Sequence, residues 1–158
     1  MSEEVVWDKA KGELRILGRR HTSLDIQGLC EHLDLIIGAG VAEVLMNQHE
    51  FRLGKEDAAS AHHERPEATI QELVNSFANA ETLSGVGVVR VAIAETSPSA
   101  IDLEISNPCV KQTTGAAKSF LFSYWCGVLT ELLGKEFKID HVTYDENKNL
   151  MKCRIIQM

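Results

Sequence analysis

Six histidines and four cysteines carry most of the chemistry open to this 158-residue chain. Cys30 and His32 stand two apart, and on a helix only three- and four-residue spacings share a face. A thiol–imidazole nucleophile would also need a third group to orient the base, and none is legible. His62, His63 and Glu64 are adjacent; neighbours in sequence do not aim at one ion without a distant third ligand, so they read as a solvated loop. Asp140, His141, Asp145 and Cys153 offer a zinc-compatible mixture of carboxylate, imidazole and thiolate. Strand alternation, however, sends Asp140 and His141 to opposite faces. No metal site is expected, and Cys153 reads as a small buried side chain. The chain contains no Gly-x-Ser-x-Gly elbow, no His-Glu-x-x-His motif and no glycine-rich dinucleotide loop between strand and helix. An enzyme of a familiar kind is not expected, nor is a cofactor.

Binding is a better prospect than catalysis. Phe120, Phe122, Tyr124 and Trp125 gather four of the nine aromatic residues within six positions. Core packing accounts for most of that density. One side of the cluster can line a pocket, with Phe120, Tyr124 and Cys126 joined by Met46 and Phe77 from earlier helices. An apolar cavity with a few polar tips, here the Tyr124 hydroxyl, is the usual form of a small-molecule site. Tyr124→Ala would then weaken ligand binding more than stability. Small residues recur at Gly115, Ser119, Ser123 and Gly127, and four-residue spacing makes a nearly straight groove on a helix. Such a groove admits another backbone or a slender ligand.

The elements that position these residues follow from periodicity. Residues 13–17 alternate as a half-exposed strand; Arg15, Arg19, Arg20 and His21, flanked by Glu13 and Asp25, read as its solvated end. Ser23 or Asp25 caps a helix whose apolar positions are Leu29, Leu33, Ile36, Ile37, Val41, Val44 and Leu45. Gly38 and Gly40 interrupt it, either as a kink or as a close crossing, and the stripe continuing in phase favours the crossing. Gly54 ends the region, and polar residues 55–65 read as a loop or a weak turn. Pro66 opens a second helix with Ile70, Leu73, Val74 and Phe77 on its inner face. Residues 88–94 and 100–106 form a hairpin around a turn at 96–99, with Ile101, Leu103 and Ile105 inward and Asp102 and Glu104 outward. After an irregular stretch, Thr113 or Thr114 caps the aromatic helix and Gly134 closes it. A last hairpin turns at 145–149. Strands and helices in blocks make an α+β fold: an antiparallel sheet of about four strands with helices on one face, ordered α-α-β-β-α-β-β after a short N-terminal strand. Residues 1–158 read as one domain.

A formal charge of −7 and a pI near 5.3 argue against nucleic acid and anionic lipid as partners. No apolar run reaches the length of a membrane span. The first residues are acidic where a signal peptide would be basic, so reduced thiols and a cytoplasmic location are expected.

In element order the chain resembles the 4-vinyl reductase, or hydrocarbon-binding, domain family, which is related to the core subunits of the TRAPP vesicle-tethering complex. The resembling pieces are residues 12–20, residues 37–45 around Gly38 and Gly40, and residues 123–134 running into Cys153, Arg154 and Ile155. The resemblance implies a small domain that dimerises and encloses an apolar cavity for a small hydrophobic molecule. Two functions follow: a stand-alone ligand-binding or sensory domain, or a TRAPP-like homodimeric scaffold without ligand. In either, Gly38, Gly40 and Val41 would sit in the dimer interface. The chain departs from the family's metal-binding branch, whose final hairpin supplies a Glu and further cysteines before the last one; here residues 139–147 contain no Cys.

Overall fold

The computed structural model describes residues 25–91, 93 and 98–158, together with the backbone of 5–8, 13–16 and 19–21. Three short strands come first, β1 (Val5–Asp8), β2 (Glu13–Ile16) and β3 (Arg19–His21), in an antiparallel sheet ordered β1-β2-β3. One N-terminal strand was expected. The basic run instead forms a strand of its own, with Arg20 opposite Arg15. Ser23 and residues 96–97 of the expected turn lie outside the described residues.

Helix α1 (Ile26–Ile37) is capped by the Asp25 carboxylate, which accepts the Gly28 amide at 3.0 Å. It stops at Gly38, whose φ of 84° suits glycine. Helix α2 then runs unbroken from Ala39 to Glu64. The kink is therefore at Gly38, and no described atom lies within 4 Å of where a Gly40 Cβ would stand. Two expectations fail in α2. Gly54 does not end a helix, and residues 55–65 are not a loop. Ala58, Ala59 and Ala61 favour the helix, and Arg52 pairs with Glu56 one turn on at 3.8 Å. His62, His63 and Glu64 are thus exposed on its last turn.

Pro66 lies in a turn rather than at a helix start. Helix α3 (Ile70–Ser84) begins after Thr69, which forms a capping box with Glu72: the Glu72 amide donates to Thr69 Oγ1 and the Thr69 amide to Glu72 Oε2. Leu73, Val74 and Phe77 face inward as expected, but Ile70 is partly exposed in the first turn.

Strands β4 (Val88–Val91), β5 (Ala100–Ser106), β6 (Phe137–Asp145) and β7 (Leu150–Gln157) form an antiparallel sheet ordered β4-β5-β7-β6. Its inner face carries Ile101, Leu103 and Ile105 opposite Ile155, Cys153 and Met151. The outer face is wet, and Glu104 pairs with Lys152 across the strands. The fold is α+β, with the helices packed against the four-stranded sheet. Helix α4 (Gly115–Leu133) is its centre, since fifteen of its nineteen residues are buried. Gly134 closes it in the left-handed conformation. No helix among the described residues is long and apolar enough to cross a membrane.

Candidate functional site

The small-residue stripe of α4 faces α2, and the two helices run side by side in the same direction. Ser119 Oγ donates to the Glu43 carbonyl at 2.9 Å. Ser123 Oγ accepts from Asn47 Nδ2 at 3.0 Å. One turn further on, a Cβ on Gly127 would overlap the Phe51 carbonyl, and a Cβ on Gly54 would overlap the Tyr124 carbonyl. The groove thus receives a backbone from its own chain. Gly54, which reads as a helix stop in the sequence, is the other half of that crossing.

Thr114 occupies the N-cap of α4 without a side-chain cap bond. Carboxylates from the other helices take over: Asp34 of α1 accepts the Ala116 amide at 3.0 Å, and Glu43 of α2 accepts the Gly115 amide at 3.2 Å. Glu43 also pairs with Lys118 at 2.7 Å. A carboxylate at a helix N-terminus satisfies orphan amides and complements the helix dipole.

Downstream of the crossing, α2, α3 and α4 meet around an aromatic group with polar tips. The Phe77 and Tyr124 rings stand edge to face with centroids 6.4 Å apart, and Tyr124 and Trp125 do so at 6.1 Å. Tyr124 Oη donates to Asp57 Oδ2 at 3.2 Å. Trp125 Nε1 donates to Glu81 Oε2 at 2.6 Å. Burial pushes the Glu81 carboxyl up to about 8; the indole hydrogen bond opposes part of that rise, and the Glu50 charge adds to it. Glu50 is itself pushed up to about 7, by burial first and by Asp57 second. Near neutral pH Glu81 is therefore mostly protonated and Glu50 about half so, and the protonated form can donate a hydrogen bond.

Of the five residues expected to line a pocket, Phe77 and Tyr124 meet at this junction. Cys126 is buried, but two residues apart on a helix, Tyr124 and Cys126 project to different sides of α4. Met46 and Phe120 are half-buried and pack against the core. The polar members Glu50, Asp57 and Glu81 escape a reading based on apolar residues alone. A signal was present: Leu73, Phe77 and Glu81 follow at four-residue steps, as do Glu50, Gly54 and Ala58.

All four cysteines are free thiols. Burial pushes Cys30 up to about 11 and Cys126 up to about 12, and raises Cys109 and Cys153 as well. Such thiols are protonated and poor nucleophiles. No group of three potential metal ligands occurs among the described residues. The expectation for Asp140 and His141 needs correction: His141 Nδ1 lies 2.9 Å from Asp140 Oδ2. A register shift between Ile139 and His141 breaks the alternation that would have separated them.

At the far corner, Gly38, Gly40 and Val41 border an apolar surface. Leu35 is 82% exposed, Ile36 64%, and Val41, Val44 and Leu45 each more than half. The stripe read from the sequence is exposed there, and none of the described residues covers it.

No family model matches the chain, and no curated protein does. Among solved structures, the phenol-responsive sensory domain of the transcription activator PoxR with phenol is similar at a TM-score of 0.76, with 14% identity over 98% of this chain and 85% of that one. A Cs H-NOX mutant carrying 4-cyano-L-phenylalanine is similar at a TM-score of 0.44, with 12% identity over 90% of this chain and 78% of that one. The likeness to the PoxR domain is one of fold.

Proposed function

We propose that the chain is a single ligand-binding or sensory domain that holds a small, mostly apolar molecule where α2, α3 and α4 meet, as the resemblance to 4-vinyl reductase domains also implies. The observation that carries this is the pair of hydrogen-bonded tips, Tyr124 to Asp57 and Trp125 to Glu81, set among aromatic rings. It occurs in a fold shared with a domain that responds to phenol. A ligand of this class would place its apolar body against Phe77 and Tyr124, with Met46, Phe120 and Cys126 as further lining. Its polar head would exchange a hydrogen bond with one of the carboxyls. Four free thiols suit a reducing, cytoplasmic setting.

Native mass spectrometry of freshly purified protein tests the reading through a retained small molecule, and calorimetry with phenol gives a defined probe. Tyr124 is buried, so Tyr124→Ala costs about 3–5 kcal/mol of stability by analogy with other large aromatic truncations and confuses the outcome. Tyr124→Phe keeps the ring and removes the hydroxyl. It should lower the affinity of a bound ligand about tenfold while costing about 1 kcal/mol of stability. A protein that carries no small molecule and binds no apolar probe removes the idea.

A second reading, a TRAPP-like homodimeric scaffold, is favoured by the uncovered face of α1 and α2. An exposed apolar surface of this kind usually marks an interaction site. Val41→Glu and Val44→Glu together should leave the helix content unchanged and convert a dimer to a monomer in light scattering. Wild-type protein that is monomeric at every concentration ends the scaffold reading.

A further inference from the structure

Away from the aromatic junction, the outer edge of the sheet carries a groove of about 650 Å³ between α3 and β4. Strand β4 is the edge strand, and in an antiparallel pair alternate residues point their amides away from the partner. The Val89 amide does so, donating to Thr82 Oγ1 at 3.1 Å, and the Ile93 amide donates to Gln71 Oε1 at 3.4 Å. Val91 lies between them and lines the groove, so its amide faces the opening by the same alternation. Gln71 also donates to Asn75 Oδ1 at 2.9 Å. Asn75 lines the groove, and its amide nitrogen remains a donor beyond that bond. Thr82 and Gln71 close the edge at both ends, so an added β-strand does not fit and a small molecule does.

The other polar walls carry both signs of charge. Arg90, Asp102 and Glu104 line the groove together with Asn79. Glu104 pairs with Lys152, and Asp102 with Arg154 at 3.9 Å. Among the described residues, no carboxylate is ion-paired with Arg90. Each carboxylate keeps acceptor sites beyond its present partner. Ala78 and Val89 add an apolar part to the wall.

We propose that this groove is a second binding site, for a small zwitterion of the free amino-acid type. Its carboxylate is held by Arg90, Asn75 and the Val91 amide, and its ammonium group faces Asp102 and Glu104. A guanidinium matches a carboxylate bidentately, and the paired acids on the adjacent strand discriminate against a simple anion.

The test is an amide-resolved NMR titration of the whole chain with three probes of one carbon skeleton: L-valine, 3-methylbutanoate and isobutylamine. L-Valine should shift the amides of Asn75, Asn79 and Val91, and the two singly charged probes should do so at least about tenfold more weakly. Arg90 is exposed on the outer face, so Arg90→Gln should fold normally and lose valine binding to a similar extent. The site is refuted if valine leaves these three amides unmoved up to its solubility limit, or if 3-methylbutanoate binds as well as valine. The three-probe comparison uses wild-type protein, so it decides the matter whatever Arg90→Gln does.

Discussion

Gly127→Ala is expected to destabilise the domain by about 2–4 kcal/mol, near the upper end for overpacking in a core. The added methyl meets the Phe51 carbonyl, and the equivalent methyl in Gly54→Ala meets the Tyr124 carbonyl. A side chain can rotate away from an intruder, but a backbone carbonyl within a helix cannot. The two helices would have to separate along their length, loosening the Ser119–Glu43 and Asn47–Ser123 bonds in the turns before the crossing. At roughly 2–4 °C per kcal/mol for a domain of this size, the thermal midpoint falls by about 4–16 °C. Gly40→Ala is the matched control: no described atom stands within 4 Å of its Cβ position, so helix propensity alone should leave stability unchanged or raise it by up to about 1 kcal/mol. Equal midpoints for Gly127→Ala and Gly40→Ala would show that the crossing is not close.

The second large effect is on pH dependence. Glu81 and Glu50 have folded-state values of about 8 and about 7 against an ordinary 4.5. The folded state therefore holds protons that the unfolded chain has already released. Their contribution to stability is full below pH 4.5 and is lost as pH rises through 7 and then 8. For Glu81 the loss between pH 5 and 8 is on the order of 3 kcal/mol, at 1.4 kcal/mol per unit with allowance for relaxation. Glu50 adds to the slope in the lower part of the window. Glu81→Gln keeps an acceptor for the Trp125 indole but carries no titrating proton. It should match wild type near pH 5 and be the more stable of the two at pH 8 in urea denaturation. Parallel curves for the two proteins across this range would show that Glu81 is charged throughout.

Most of the architecture is legible because it rests on periodicity. Ile101, Leu103 and Ile105 alternate, Leu73 and Phe77 repeat at helical spacing, and Gly134 terminates an apolar run; in each case local pattern and burial agree. The errors fall where a tertiary contact overrides a local preference. Gly54 is a poor helix residue on its own, but together with Gly127 it lets α2 reach α4. Residues 55–65 look like a loop because their polar side chains hide the alanine face that docks inward. Asp140 is displaced by a bulge that no pattern announces. At the junction proposed as the site, Phe77 and Tyr124 stand out in the sequence as apolar residues, whereas Glu50, Asp57 and Glu81 do not. A buried carboxyl on a core stripe looks like a solvated residue until its neighbours are known.

The N-terminus of α4 is held by two side chains that belong to the corner where α1 turns into α2. Asp34 and Glu43 stand on either side of Gly38, the joint between those helices. Both carboxylates reach the opening amides of the helix that carries Tyr124 and Trp125 only because that joint turns the chain as it does. The outer corner at Gly38 and the helix that carries the interior rings are thus tied together by two carboxylate–amide hydrogen bonds.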